Sequence, residues 1–222
     1  MGDSSHPDLS AVPLFPLPNV VLFPRAILPL HVFEERYKEM TADALAGERQ
    51  IAMALLRPGW EKSYYQRPPI EPIVCAGTIL SHERLPDGKY NFLLQGHTRA
   101  RIIREFGDRT YRIAELEPLE DTKVRESELA EERTRLISVF EEGTLLATDL
   151  GRQFRQLLSA SIPTCVIADL IAFKLLDDVW MKQSLLADCD TRRRVGRIVE
   201  AFEELRPALQ PVSVAARKPS LN

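Results

Sequence analysis

The amino-acid sequence predicts an α+β protein in which strands come first and helices follow. Between residues 12 and 120, short apolar runs are separated by Pro, Gly and Asp, which is typical of strands joined by turns. From about residue 122, apolar residues recur at every third or fourth position, the period of helices that bury one face. The chain has 222 residues, 45% of them hydrophobic, and is therefore long enough for one large domain or two small ones.

Residues 14–30 read LFPLPNVVLFPRAILPL and combine strong hydrophobicity with four prolines. A proline removes a backbone N–H and breaks a helix, so in sheets it is confined to strand ends, edges and bulges. We therefore predict three short extended pieces, VPLF, NVVLF and ILPLHVF. No basic segment precedes this stretch and its prolines interrupt any membrane-spanning helix, so we expect neither a signal peptide nor a transmembrane segment, and a cytoplasmic location.

The next element is predicted as a helix of about three turns that ends at Gly47. Its apolar residues at helical spacing are Phe33, Tyr37, Met40 and Ala44. In the LPDGK segment (85–89), Asp-Gly supplies the positive φ that a tight hairpin needs. The pattern therefore indicates a small, mostly antiparallel β-barrel, or a pair of curved sheets, with one inserted helix. Short strands are predicted at 51–57, 73–80, 90–95, 99–105 and 111–117.

The carboxy-terminal half is predicted to be helical. Residues 166–176 are apolar around most of a helix circumference, as in a centrally buried helix, and a short helix is expected at 179–187. The last helix has Asp190 or Thr191 as its N-cap and an apolar stripe formed by Val195, Ile198, Val199, Phe202 and Leu205. Before these elements, one long helix is predicted, loosened near Gly143. Its apolar face is formed by Leu129, Leu136, Phe140, Leu146, Leu150, Phe154 and Leu157.

Two motifs resemble the amino-terminal, substrate-binding domain of Lon proteases over roughly residues 12–206. The first is VPLFPLPNVVLFPRAILPLHVFEERY, and the second is CAGTI followed by LPDGKYNFLLQGHTRARI. The resemblance implies an α+β fold with an amino-terminal PUA-like β pseudo-barrel carrying an inserted helix, followed by a carboxy-terminal α-helical bundle. The expected division is a flexible tail (1–10), a β-rich domain (11–121), a helical bundle (122–207) and a disordered tail (208–222).

The resemblance implies a non-catalytic, ATP-independent module that binds a protein or unfolded polypeptide, or a protease or chaperone partner, in a groove between barrel and helices. Full Lon proteases add ATPase and Ser-Lys protease modules. Here the Gly-Lys pair 88–89 lies in a hairpin and not in a phosphate-binding loop, and HERLP (82–86) lacks the second His of a zinc-protease motif. We therefore expect no catalytic residue, no cofactor and no metal.

The candidate binding residues centre on the loop PGWEKSYYQRPP (58–69), which carries Trp60, Tyr64 and Tyr65. Aromatic side chains on a polar, proline-bounded loop favour recognition, because they offer large contact area at low entropic cost. The alternative is that they fold back and close the barrel end. The candidate set is completed by His31, His97 and Arg99, each with a structural role as the alternative.

Two other classes of function stay open as alternatives. An enzyme could use Cys75, partnered by His31, His82 or His97, although the three cysteines are better explained as small buried hydrophobes. An RNA-binding role would rest on Arg99, Arg101 and the arginines at 192–197. Because the net charge is −3 and the pI is near 5.9, we do not expect nucleic-acid binding, and these arginines are predicted to lie on solvated faces paired with acidic residues.

Overall fold

The computed structural model describes residues 7–107, 109–141 and 149–205. Its strands are β1 (Val12–Leu17), β2 (Ile27–Val32), β3 (Gln50–Leu55), β4 (Ile73–Arg84), β5 (Tyr90–Phe106) and β6 (Arg112–Pro118). Its α-helices are α1 (Glu35–Ala46), α2 (Ala130–Glu141), α3 (Asp149–Ser159), α4 (Thr164–Leu175), α5 (Val179–Leu186) and α6 (Thr191–Leu205). The α+β class predicted from the sequence is confirmed.

The strands form one sheet in the order β2-β5-β4-β3-β1-β6, with a further pairing between β5 and β6. This pairing joins β5, β4, β3, β1 and β6 into a closed ring, and leaves β2 at an edge. Only the β1–β3 pair is parallel among these pairings. Apolar side chains from all five ring strands form a buried cluster that fills the narrow interior, and five of them are alanines: Ala52, Ala54, Ala76, Ala100 and Ala114.

The proline-rich opening folds as two strands joined by a buried connection. β1 contains Pro16 and the preceding Pro13, and Pro29 lies in the edge strand β2, where a missing N–H is tolerated. The piece NVVLF (19–23), predicted as a third extended strand, is not a strand, although its last three residues are buried. The chain turns onto β5 instead, because Arg25 N–H donates to Gly96 O at 2.7 Å and Gly96 N–H donates to Ala26 O at 2.9 Å.

Helix α1 begins later than predicted. Glu34 has extended dihedral angles (φ −72°, ψ 138°), so Phe33 lies before the helix and is 60% exposed. The prediction that Phe33 belongs to the buried helical face is therefore wrong. Tyr37, Met40 and Ala44 do form that face, and Gly47 follows the helix as expected.

The segments predicted as separate strands at 90–95 and 99–105 are one strand, β5. It continues through Gly96 and His97 because β4 pairs with it along its whole length, from Ile73 opposite Arg101 to Arg84 opposite Tyr90, with irregular register near Gly77 and again near Leu80. At the hairpin, Gly88 has φ +79° and Leu85 N–H donates to Lys89 O at 2.8 Å. The Asp-Gly hairpin prediction is confirmed.

Helices α2 and α3 are separate, so the prediction of one long helix is wrong. The rings of Phe140 and Phe154 stack with centroids 5.4 Å apart. Fourteen residues along a continuous helix would separate them by about 21 Å. Leu146 of that predicted face, and Gly143, where the helix was predicted to loosen, lie outside the described residues.

The remaining helices match their patterns closely. Helix α4 is central, and on α6 the side chains of Val195, Ile198, Val199 and Phe202 are at most 1% exposed. Asp190 is the N-cap of α6, since it accepts the Arg193 N–H at 3.0 Å, whereas the Thr191 hydroxyl donates to Thr122 O. None of the described helices combines the length and hydropathy that a bilayer span requires.

The predicted tails fall mainly outside the described residues, which exclude 1–6 and 206–222. Leu9, within the segment predicted to be flexible, is buried, and its carbonyl accepts the Leu116 N–H at 2.9 Å. The chain is thus already packed against β6 before β1 begins.

Candidate functional site

The structure distributes the six candidate residues over distinct places. Trp60, Tyr64 and Tyr65 lie together on the loop 58–69. His31 lies on the outer face of β2, His97 in an irregular part of β5, and Arg99 in the contact between β5 and the helices. They do not form a single site, and each place has its own chemistry.

The aromatic loop is attached to α1 through Tyr64. The Tyr64 hydroxyl donates to Glu34 Oε1, and Arg36 Nη1 donates to Tyr64 O at 3.1 Å. The Arg36 guanidinium also lies 4.5 Å from the centroid of the Tyr37 ring and 4.7 Å from that of Tyr64. Burial and the Glu34 carboxylate raise the pKa of Tyr64, so its hydroxyl remains a donor at neutral pH.

Tyr65 is the exposed aromatic residue of this loop. Its side chain is 89% exposed and makes an edge contact with Tyr64, whose ring centroid is 5.2 Å away. Trp60, in contrast, is half-buried and packs against the other side of Tyr64, 5.4 Å between centroids. Tyr64 therefore attaches the loop to α1, Trp60 packs against Tyr64, and Tyr65 is available to a ligand.

Beside Tyr65 lies a cleft of about 290 Å³, which we call the loop cleft. It is bounded by residues 64–68 of the loop, by α1 and by residues 110–112. Its wall includes Arg36, Arg67 and Arg112 as well as four tyrosine residues, so it combines positive charge with aromatic surface. Such a lining suits a ligand that has an anionic group next to an apolar one.

A second surface, the β2–β5–β4 face, consists of Ile27, Pro29, Phe33, Leu80 and Leu93. Ile27, Phe33, Leu80 and Leu93 are 41%, 60%, 46% and 38% exposed. Pro29 pairs directly with Leu93 and Ile27 with Gln95, so alternate residues of the two strands point to the same side. Sequence reasoning missed this face, because it placed Phe33 on a helix and assigned the other four residues to strands without knowing that β2 is an edge.

His31 lies at the polar end of this face. Its Nδ1 is 2.7 Å from Asn91 Oδ1, and its ring is 6.2 Å from that of Phe33. A shallow depression of about 420 Å³ runs beside it, lined also by Ser81, Glu83 and Leu93. His31 is exposed and has a side-chain partner, which fits a binding rim better than a core position.

His97 is half-buried and lies where β5 departs from regular pairing with Ala76 and Gly77. Its Nδ1 is 2.9 Å from Thr98 Oγ1, and its Nε2 is buried without a hydrogen-bond partner among the described residues. Burial lowers the pKa of this imidazole and favours its neutral form.

Arg99 belongs to a buried ion network, so the prediction that it lies on a solvated face is wrong. Its Nη2 donates to Asp169 at 2.6 Å and its Nη1 to Asp121 at 3.0 Å. Arg194 donates to the same two carboxylates, at 3.1 Å to Asp169 and 2.7 Å to Asp121. The Arg99 and Arg194 side chains are 3% and 0% exposed, and their carboxylate partners balance the buried charge.

The network lies where β5 meets α4 and α6, the place where a binding groove between barrel and helices was predicted. Here the two halves are in direct contact, and Gln183 of α5 adds a hydrogen bond to Ile73 O at 2.9 Å. Neither the loop cleft nor the β2–β5–β4 face includes a residue of this network. The groove prediction is not favoured by this arrangement.

Three of the predicted arginines near the start of α6, Arg193, Arg194 and Arg197, form ion pairs with aspartates. Arg193 donates to Asp188 at 2.7 and 2.8 Å, and Arg197 donates to Ser184 at 2.7 Å. Arg194 is buried, which again contradicts the solvated-face prediction at that position. A phosphate backbone would have to compete with these partners.

Cys75, the proposed nucleophile of the enzyme alternative, is fully buried on β4. Burial raises the pKa of its thiol to about 12, which suppresses the reactive thiolate. Among the described residues, no group of three or more His, Cys, Asp and Glu side chains is arranged to hold a metal ion.

The fold is that of Lon N-terminal domains. The N-terminal domain of the Mycobacterium avium complex Lon protease matches with a TM-score of 0.68 at 16% identity, over 88% of this chain and 99% of that one. The Lon N-terminal domain protein from Xanthomonas campestris matches with a TM-score of 0.60 at 24% identity, over 91% and 99%.

The chain belongs to the family of the ATP-dependent protease La (LON) substrate-binding domain, whose model matches residues 11–204. The family resemblance inferred from the two sequence motifs is thus confirmed. The Lon protease of Desulfosudis oleivorans is 21% identical over 187 residues, and Lon protease 2 of Sorangium cellulosum is 28% identical over 199. These matches cover 84% and 87% of this chain but 23% and 24% of those proteins, so the chain spans about a quarter of their length.

Proposed function

We propose that this chain is a non-catalytic polypeptide-binding module that holds extended, apolar segments of non-native proteins. Its family is defined as a substrate-binding domain, and the matched region lies within residues 11–204. We further propose that the closed strand ring is a PUA-like pseudo-barrel (11–121) followed by a helical bundle (122–207), and that binding needs no ATP.

The observation that carries the proposal is the β2–β5–β4 face. Large apolar side chains are usually scattered singly on a protein surface, and their grouping on one face is typical of interaction sites. Ile27 and Leu93 lie on neighbouring strands there, and Phe33 extends the same apolar area. Unfolded polypeptides expose such side chains, so the face offers burial to both partners.

The edge position of β2 adds a backbone component. In the described sheet β2 is paired on one side, with β5. An extended peptide can add to such an edge through main-chain hydrogen bonds, which favour the extended conformation without requiring one sequence. His31 and Asn91 would then form the polar rim of the site.

The aromatic loop is a second proposed binding surface, separate from the β2–β5–β4 face, and Tyr65 is its contact residue. Trp60 and Tyr64 hold the loop in position, since Tyr64 bonds to Glu34 and stacks near Arg36. A separate protease or chaperone that receives the bound polypeptide is the proposed partner.

The apolar face is tested with a fluorescent, reduced and alkylated protein that cannot refold, titrated with this chain while anisotropy is recorded. Ile27→Ser combined with Leu93→Ser is expected to weaken binding roughly tenfold, since 1.4 kcal/mol corresponds to a tenfold change. The matched control is Ile103→Ser, because Ile103 is 52% exposed on the distal part of β5. Equal effects of the two changes, or no effect of the double change, would overturn the proposed site.

A further inference from the structure

The loop cleft contains three arginine side chains, two of which have a carboxylate partner. Arg36 Nη2 lies 3.0 Å from Glu34 Oε2, and Arg112 Nε lies 2.7 Å from Glu105 Oε2. Within the described part of the chain, these pairs leave the positive charge of the third guanidinium, that of Arg67, without a carboxylate partner at the cleft wall.

Among the residues that the structure describes, the hydrogen bonds of Arg67 are to backbone oxygens. Its Nη1 donates to Phe106 O at 3.0 Å and its Nη2 to Gly107 O at 3.3 Å. Within the described ranges it forms no ion pair with a carboxylate. A guanidinium has five N–H donors in a fork that matches a carboxylate, and these two bonds leave donors for a ligand on an exposed, already oriented side chain.

The apolar part of the cleft lies next to this cation. Pro16, Leu56 and Pro68 are buried side chains of its lining, and Tyr65 stands almost fully exposed beside it. A volume of about 290 Å³ is at the low end for ligand sites, and suits one large side chain and not a whole cofactor.

We propose that the loop cleft binds an internal acidic residue of a polypeptide together with an adjacent aromatic residue. The carboxylate would accept hydrogen bonds from Arg67, and the aromatic ring would pack on Tyr65 at the cleft mouth. This inference rests on the proposed polypeptide-binding function and gives it a sequence preference. The charge complementarity of Arg67 specifies the carboxylate, and the exposed Tyr65 specifies the aromatic neighbour.

The test uses three fluorescein-labelled, otherwise neutral peptides titrated with the full chain. The first has an internal Phe-Glu pair and an amidated end, the second has Phe-Gln in its place, and the third ends in Phe with a free terminal carboxylate. Wild type is expected to bind the Phe-Glu peptide about three- to fivefold more tightly than the Phe-Gln peptide, the range for a partly exposed ion pair. The third peptide is expected to bind no better than the Phe-Gln peptide.

Arg67→Gln is expected to abolish this preference, and Arg67→Lys to restore part of it. The ratio of the two affinities is compared within each protein, so a loosened loop that weakens both peptides equally does not mimic the result. Arg101→Gln is the control, since Arg101 is an arginine of β5 with a 55% exposed side chain paired with Glu117, and it is expected to keep the preference.

Equal affinity of wild type for the Phe-Glu and Phe-Gln peptides, or a preference that survives Arg67→Gln, would overturn the inference. A higher affinity for the peptide with the terminal carboxylate would also overturn it, in favour of chain-end recognition. If the neutral peptide and the unfolded protein still bind, and binding depends on Ile27 and Leu93, the proposed function stands while the acidic preference fails.

Discussion

Arg99 of β5 and Asp169 of α4 form a buried ion pair, with 2.6 Å between Nη2 and Oδ2, that joins the strand half to the helical half. Both side chains are at most 6% exposed, and Asp169 also accepts from Arg194. Two charged groups removed from water in this way are stable only together, because each alone would lose its hydration without a partner.

Asp169→Ala is therefore expected to lower the free energy of unfolding by about 3–5 kcal/mol, since it leaves two buried guanidinium groups sharing the half-exposed Asp121. Urea denaturation followed by circular dichroism measures this change. Glu117→Ala is the matched control, because it breaks the exposed pair with Arg101 and is expected to cost less than about 1 kcal/mol. Equal losses in the two variants would show that the buried network does not stabilise the fold.

The same network predicts that the two halves unfold together. The chain has two tryptophans, Trp60 in the loop of the strand half and Trp180 in α5 of the helical half. Trp180→Phe and Trp60→Phe each leave a single fluorophore that reports on one half. We expect the two variants to have the same urea midpoint by tryptophan fluorescence. Any change in overall stability caused by each substitution itself is measured by circular dichroism and subtracted. Separate midpoints would indicate two independently stable units.

The sequence predicted the elements but not the contacts that connect them. Periodicity located α4, α5 and α6, and Asp-Gly located the β4–β5 hairpin, because these depend on neighbouring residues. Arg99 and Asp169 are 70 positions apart, and an aspartate within an apolar helix gives no indication of its partner. The β2–β5–β4 face was missed for the same reason, since exposure of Ile27 and Leu93 depends on which strand is the edge.

One long-range contact is indicated locally in the sequence, by the glycine at position 96. A Cβ added at Gly96 would lie 2.3 Å from Phe23 O and 2.9 Å from Cys75 Sγ. The Phe23 carbonyl has little freedom to move, because it is a backbone group that accepts a hydrogen bond from Ala26 N–H at 3.1 Å. The QGHT segment is part of the second family motif, and its glycine is required by the close approach of the proline-rich connection at Phe23.

Gly96→Ala is expected to destabilise the protein by more than about 3 kcal/mol or to prevent folding, because the added methyl group meets fixed backbone. Gly196→Ala is the matched control. Nothing lies within 4 Å of an added Cβ at Gly196, and this residue is inside α6, where alanine is favoured over glycine by about 1 kcal/mol. Thermal unfolding should show a large fall in Tm for the first and an unchanged or higher Tm for the second. A Gly96→Ala protein as stable as wild type would contradict the close approach.

Asp188 makes stability depend on acid pH. Hydrogen bonds from Arg193, partly opposed by burial, and the charges of Arg193 and Arg197 hold the pKa of this carboxyl below its ordinary value of 3.8. A pKa that is lower in the folded than in the unfolded state contributes stability above the unfolded value, and this contribution is lost as pH falls through the folded value. Asp188→Asn is therefore expected to be less stable than wild type at pH 6, with the difference shrinking below about pH 4. A difference that stays constant between pH 6 and pH 3 would exclude this role.

The environment of Cys75 predicts how its thiol reacts. Cys75 is 0% exposed within the large apolar core, so a reagent cannot reach it in the native state. Burial also raises the pKa of its thiol to about 12, which suppresses the reactive thiolate. Cys165 and Cys189 are half-buried and provide internal references within the same molecule. We expect iodoacetamide to modify Cys165 or Cys189 in the native protein, and Cys75 only after denaturation, as resolved by mass spectrometry of peptides. Rapid native modification of Cys75 would require an opening of the β3–β4 region, and would restore the thiol-enzyme alternative that this burial argues against.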